Sequence, residues 1–383
     1  MKNDIKVIIL KIVFSVYLIV SLASCIGVYK CLRDDGNDNN NIEQSSKIEA
    51  ELGNHILFRN AIINMNGVMR NIMGVRTMNN VIKLDNGYCA TMNDKTPHEI
   101  LELDASNLEK FNDYLSDRGI PLIYVSTPYK IAKGEEGMPL SAKGKEFTNE
   151  NVDEFIELLN ETSVDYVDIR EKMNNDNVNQ YDYFFRTDHH WNMRGGLYTY
   201  SIIENWLCEK LKCQVDENIS NVNSYTFENY RKYHLGSCGQ RTGLAFVNGA
   251  DDFEIVIPNY NVYLEKSNNT LITDFIDYYD KDQLLKKSYK SSFYDRIFKS
   301  TTFGYTNKFS RNDKKILVIG DSMAMTVYPF LALGFKEVNF IWHSSDKSEL
   351  REYIENYKPD AVVIIYYPIE LNSGANYCFD FGM

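Results

Sequence analysis

The sequence predicts an α/β fold built on a parallel sheet, and three observations carry that prediction. Nearly continuous apolar runs at residues 120–127, 316–319, 338–342 and 361–366 have the pattern of strands covered on both faces. Helical stretches, including 149–160 and 349–356, alternate with such runs, and strand-helix-strand order implies parallel strands with helices on both sides. The chain has 383 residues, 44% hydrophobic and 25% charged, an ordinary globular composition with length for one large domain and a tether.

At the start, Lys2 and Lys6 precede a mostly apolar stretch at 7–29 that only Lys11 interrupts. Residues 1–30 therefore read as a targeting segment, long enough for a membrane anchor. Within it, Leu22-Ala23-Ser24-Cys25 resembles a bacterial lipobox, which would make Cys25 a lipidated N-terminus. Apolar residues continue past Cys25, which favours the anchor; both readings tether the protein with its domain outside the cytoplasm. Residues 31–50 are polar, carry Asn37-Asp38-Asn39-Asn40-Asn41, and read as a linker.

The domain then spans 51–383. Helical spacing at 57–73 precedes a strand at 81–84, a turn at Asp85-Asn86-Gly87 and a helix at 106–118. A strand is expected at 164–169 and a helix at 195–212, with Trp206 and Leu207 on its apolar face. Residues 214–312 break the alternation with hairpin-like strands at 253–257 and 261–265, so they read as an insertion into the same domain.

Composition excludes some function classes. The net charge is −12 and no block of lysines and arginines interleaves with aromatics, so nucleic acid is not an expected partner. The seven cysteines form neither a Cys-x-x-Cys nor a zinc-type spacing. Cys208 and Cys213 are close enough to pair, but scattered thiols are the better account of the set. The 27 tyrosines could furnish a sugar-binding surface or simply reflect compositional bias.

Chemistry concentrates at 184–200, where Asp188, His189, His190 and Trp191 are consecutive. In an extended segment Asp188 and His190 share a face and His189 points away, which suits a carboxylate holding an imidazole as general base. A metal site is the competing reading. It is disfavoured because adjacent histidines on a strand diverge and no second cluster of ligands is visible, so neither metal nor cofactor is expected. The nucleophile comes later: the run at 315–319 ends in Gly320-Asp321-Ser322, as a parallel strand delivers a serine at its carboxyl end. A helix starting near Ala324 would aim its N-terminus, with the Ser322 N–H, at an oxyanion.

Together, Asp188-His189-His190-Trp191 and Gly320-Asp321-Ser322 resemble the bacterial DHHW proteins, relatives of the alginate O-acetylation proteins with SGNH-hydrolase-like folds. Residues 66–88 and Gly236-Ser237-Cys238-Gly239-Gln240-Arg241-Thr242-Gly243 extend the resemblance. It implies a three-layer SGNH-hydrolase-like fold with permuted motif order, the Asp/His pair preceding the serine. It further implies Ser322 as nucleophile, His190 as base, Asp188 as its orienter and Tyr328 as a residue lining the site. The implied activity is O-acyl transfer to a cell-surface polysaccharide, with a polytopic membrane-bound O-acyltransferase as partner. A carbohydrate esterase would use the same half-reaction, and a non-catalytic polysaccharide-binding assembly protein would keep only the fold.

Overall fold

The computed structural model describes residues 59–279, 281–289, 291–298, 304–343, 349–371 and 378–383, with 11, 12, 14–16, 18, 19, 22 and 26. Most of the 7–29 segment, Cys25 and the linker at 31–50 lie outside the described residues. Among the described residues no helix is long and apolar enough to cross a membrane. Residues Met1–Met73 and Gly74–Met383 form two units. In the first, helix α1 (Arg59–Ile72) occupies the helical spacing read at 57–73.

The second unit opens with a small antiparallel meander of β1 (Thr77–Met78), β2 (Val81–Lys83) and β3 (Cys89–Thr91), with the Asp85-Asn86-Gly87 turn between the last two. Helix α2 (His98–Ser116) begins earlier than the sequence reading placed it. Leu101 and Ala105 continue the buried stripe of Leu108, Phe111 and Leu115, and that longer apolar face sets the start. Next come β4 (Leu122–Ser126), α3 (Thr148–Leu159), β5 (Asp165–Asp168), α4 (Ile169–Asn175) and α5 (Met193–Leu211).

The insertion is built differently from the expected hairpin. Strand β6 (Tyr225–His234), missed in the sequence, leads through α6 (Ser237–Phe246) to β7 (Asp251–Pro258), and β6 and β7 pair antiparallel as a separate two-stranded sheet. The second expected hairpin strand, β8 (Leu264–Lys266), instead joins the central sheet with β9 (Leu271–Ile272) and, after α7 (Phe293–Phe298), with β10 (Gly304–Asn307). A long upstream partner offers β7 far more ladder than a three-residue neighbour could, so the local pair loses.

The chain closes with β11 (Lys315–Gly320), α8 (Tyr328–Gly334), β12 (Glu337–Trp342), α9 (Leu350–Tyr357) and β13 (Ala361–Tyr366). The eight-stranded sheet runs β5-β4-β13-β11-β12-β10-β8-β9; the first five strands are parallel and the three insertion strands are antiparallel.

Alternation along these strands makes two cores. Ile123, Val125, Ile316, Val318, Val363 and Ile365 face one, with Leu197, Tyr200 and Ile203 of α5 and Phe330 and Leu331 of α8. Tyr124, Leu317, Ile319, Val362 and Ile364 face the other, with residues of α2, α3 and α9. Each strand residue is thus covered whichever way it points, which is why these runs read as continuously apolar. Full burial of each such side chain stabilises by about 1.5–3 kcal/mol.

Candidate active site

Strand β11 ends at Gly320, and the chain turns at once into a 3-10 segment, Ser322–Thr326, before α8 starts at Tyr328. The expected α-helix near Ala324 is therefore replaced by a tight turn, and Pro329 fits only in the first turn of the later helix. Asp321 shapes this turn: its carboxylate accepts from the Met323 N–H at 2.7 Å and from the Tyr367 N–H. Burial, and then the Glu370 charge, push the Asp321 carboxyl up to about 7. The Asp321 and Met323 N–H groups are engaged, whereas no acceptor among the described residues takes the Ser322 N–H.

The Asp-His segment is a bent loop rather than the extended strand expected. Phe184 and Trp191 pair antiparallel across its ends, the Phe185 N–H donates to the His190 carbonyl at 3.2 Å, and the Asn192 N–H to Tyr183 at 2.8 Å. Asn192 then caps α5, accepting from the Arg194 and Gly195 N–H groups. Buried contacts clamp the loop from several sides. Thr187 donates through its N–H and hydroxyl to Asp251, each at 2.7 Å. Fully buried Lys130 donates to the Arg186 carbonyl at 2.8 Å and to the Asp188 carbonyl. Trp191, also fully buried, donates its indole N–H to the Met323 carbonyl at 2.8 Å, tying this loop to the turn that carries Ser322.

The loop brings Asp188, His190 and Ser322 together. His190 Nε2 lies 2.7 Å from Ser322 Oγ, and His190 Nδ1 lies 3.2 Å from Asp188 Oδ2. The second contact is at ion-pair distance but off hydrogen-bond alignment. Tyr294 stacks on the His190 ring with centroids 3.9 Å apart and planes at 7°, and its hydroxyl donates to the Ser322 carbonyl at 2.6 Å. One tyrosine thereby fixes both His190 and Ser322.

Because the loop is bent, His189 does not point away. Its ring lies 3.8 Å from that of His190, and Nδ1 is 3.1 Å from Asp188 Oδ1 and 2.8 Å from Ser237 Oγ. The divergence argued against a metal thus fails, since Asp188, His189 and His190 present ligand atoms within 4.8 Å of one another. Here, however, the same atoms are turned inward, His190 Nε2 onto Ser322 and Nδ1 toward Asp188.

Asp188 is fully buried and more crowded than the sequence implied. Oδ1 accepts from the His189 N–H at 2.8 Å, the Ser237 N–H at 3.2 Å and the Ser237 hydroxyl at 3.0 Å, while His234 Nε2 lies 2.7 Å from Oδ2. Burial alone would raise its pKa, but His190, His189 and His234 outweigh it and hold the carboxyl well below the usual range. His190 goes the other way. Its burial, with the neighbouring His189 charge, outweighs Asp188 and lowers it to about 4, so at neutral pH the ring is an uncharged acceptor for the Ser322 proton.

Two glycines permit this closeness. A Cβ on Gly236 would sit 2.1 Å from Asp188 Cβ, and one on Gly196 would sit 2.2 Å from the Thr326 carbonyl oxygen, where α5 meets the Ser322 turn. Gly236 and Ser237 fall within the 236–243 segment singled out in the sequence. His234 stands two residues before that segment, the one signal it carried; Tyr294 and Lys130 carried none. Tyr328 does not line the site: it is fully buried against Tyr305 and Phe340, and its hydroxyl donates to the Val338 carbonyl at 3.0 Å. Cys208 and Cys213, whose spacing allowed a disulfide, are both free thiols.

Comparison with known proteins matches the chain to a known fold. Residues 91–220, which include Asp188 and His190, match the family described as the SGNH hydrolase-like domain of acetyltransferase AlgX. The structure of Bacillus cereus PatB1, solved with a sulfonyl adduct, aligns over 79% of this chain and 99% of its own, with 18% identity and a TM-score of 0.60. A DHHW family protein from Eubacterium siraeum aligns over 79% of this chain and 95% of its own, with 16% identity and a TM-score of 0.59. No curated protein matches the chain in sequence. The chain thus has the SGNH-hydrolase-like fold, and its residues 91–220 resemble the AlgX acetyltransferase domain.

Proposed function

We propose that the chain is an extracytoplasmic O-acyltransferase that moves acetyl groups onto a cell-surface polysaccharide through an acyl-Ser322 intermediate. The observation that carries this reading is the uncharged, buried His190 with Nε2 2.7 Å from Ser322 Oγ and Asp188 behind its other nitrogen. Ser322 Oγ attacks the ester carbonyl carbon while His190 takes its proton, and the resulting imidazolium is stabilised by Asp188. The oxyanion meets the Ser322 N–H. On collapse, the leaving alkoxide takes the proton from His190. An acceptor hydroxyl, deprotonated by the same nitrogen, then attacks the acyl-serine and restores Ser322.

In this reading the apolar stretch at 7–29, or a lipid on Cys25, tethers the domain to the membrane. The match to an acetyltransferase domain supports transfer as the outcome, and the motif order, Asp188 and His190 ahead of Ser322, fits the alginate-type branch. An enzyme outside the cytoplasm lacks acetyl-CoA, so a polytopic membrane-bound O-acyltransferase supplies its acyl groups. The test is to give the chain an activated acetyl ester with and without oligosaccharides and follow acetate and products by mass spectrometry. Acetylated oligosaccharide that disappears in Ser322→Ala is the expected result; acetate alone under every acceptor condition would make the protein an esterase. The sulfonyl adduct on PatB1 motivates a second check, covalent sulfonylation of Ser322. Failure of both labelling and turnover would leave only a binding role.

A further inference from the structure

A second group of chemically capable side chains lies on the same sheet edge, outside the machinery described above. His343 directly follows β12, Glu370 lies in the turn after β13, and Cys378 belongs to the closing segment. His343 Nδ1 is 3.0 Å from Cys378 Sγ, Cys378 Sγ is 3.0 Å from Glu370 Oε2, and His343 Nδ1 is 3.5 Å from the same oxygen. With zinc bonds of about 2.0–2.1 Å to nitrogen or oxygen and 2.3 Å to sulfur, a tetrahedron places its ligand atoms about 3.4–3.6 Å apart. The nitrogen–oxygen edge, at 3.5 Å, already has that length, and the two sulfur edges, at 3.0 Å, fall short of it by roughly half an ångström. An ion entering it needs only small rotations of three side chains.

The surroundings hold the ligands in register. The His343 N–H donates to the Gly320 carbonyl at 2.9 Å, so the residue is fixed to the end of β11. Tyr366 meets the His343 ring edge-on, centroids 6.0 Å apart, and its hydroxyl donates to the Cys378 carbonyl at 2.9 Å, so one side chain orients two ligands. Such outer contacts are what keep metal ligands oriented. Cys378 is fully buried, and His343 and Glu370 are largely so. Thiolate, imidazole and carboxylate together form a zinc-class donor set with two negative charges, which a divalent ion neutralises in this low-dielectric pocket. No local spacing announces the set, because its members come from three segments.

We propose that His343, Glu370 and Cys378 bind one zinc-class divalent ion, with a water in the fourth position, and that the ion clasps the closing segment to the sheet edge from which Ser322 projects. Binding to the folded chain alone makes the clasp a source of stability.

The test uses the full chain without an oligohistidine tag, stripped with a chelator and titrated with Co²⁺ or Zn²⁺ alone. One equivalent of Co²⁺ should bind and produce a thiolate-to-cobalt absorption band, and Zn²⁺ should raise the Tm. Cys378→Ser should lose the band, and His343→Gln should weaken binding by at least about a hundredfold. A wild-type chain that binds no stoichiometric Co²⁺ would overturn the proposal without any variant. So would a band that persists in Cys378→Ser, which would put the ion on other thiols. Should Cys378→Ser not fold, unchanged affinity in His343→Gln would be equally fatal.

Discussion

Gly236→Ala should disable the protein's chemistry although residue 236 carries no reactive group. The added Cβ would lie 2.1 Å from Asp188 Cβ, 2.4 Å from its Cα and 2.5 Å from its Cγ. Ordinary carbon contacts begin near 3.5 Å, so backbone or carboxylate must retreat by about 1 Å or more. Neither is free to do so cheaply. Asp188 is held at Oδ1 by the Ser237 and His189 N–H groups, its carbonyl by Lys130, and the loop ends by the Phe184–Trp191 pair. Overpacking of this kind costs about 1–3 kcal/mol of stability. A displacement of about 1 Å between reacting groups costs on the order of a hundredfold in rate. Cleavage of an activated acetyl ester should therefore fall about a hundredfold, while thermal unfolding shows a cooperative transition at lower temperature. Gly239→Ala is the control: its Cβ meets Leu235 Cδ1 at 2.3 Å and Cγ at 3.0 Å, with Thr187 Cβ at 3.4 Å, so the clash falls on one side chain and not on the Asp188 backbone. Wild-type turnover in Gly236→Ala, or an equal loss in Gly239→Ala, would show that the Asp188 backbone is not held as described.

Ser322→Ala and His190→Ala should each remove acyl turnover, and the double variant should be little worse, because groups acting as a unit are not additive; independent, multiplying losses in initial-rate assays would separate the two residues. His189→Ala should cost less, about tenfold, since it reaches Asp188 through Oδ1 whereas His190 faces Oδ2. The acid limb of kcat/KM should lie near pH 4, where His190 gains its proton, and a limb at an ordinary histidine value near 6.5 would contradict a buried neutral base. The lowered pKa also sets the sign for stability: this contribution is whole above about pH 6.5, falls as the unfolded chain gains a proton the folded ring resists, and is gone as pH drops through about 4, so Tm should fall across that window. Trp191→Phe removes the donor to the Met323 carbonyl and should cost about 1–3 kcal/mol in denaturant unfolding while also slowing ester cleavage; an unchanged midpoint would show that the indole bond does not anchor the Ser322 turn.

Several parts of this protein were readable from the sequence alone. The strands at 122–126, 316–320 and 361–366 are buried on both faces, so their identity depends only on unbroken apolarity, and the strand at 337–342 keeps Val338 and Phe340 buried on one face. Ser322 was legible for a related reason: a strand that stops at Gly320 in such a sheet leaves the next residues at its carboxyl edge whatever surrounds them. Other features exist only in the tertiary structure. The Asp188–Trp191 segment reads as extended because nothing local shows that Thr187 is bound by Asp251, or that Gly236 admits the loop so closely that His189 turns inward. Tyr328 is expected at the site only from the family resemblance, and the 3-10 turn after Ser322 instead carries it into the core against Phe340. Strand β6 displaced the expected hairpin because pairing energy is collected along the length of a ladder, which neighbours in sequence need not supply. His234, Tyr294 and Lys130 reach the site from segments far away in the chain, and their roles are set by packing and charge at distances of a few ångströms. Periodicity along a chain records which side chains are covered; which groups meet across the fold is decided only when the layers close.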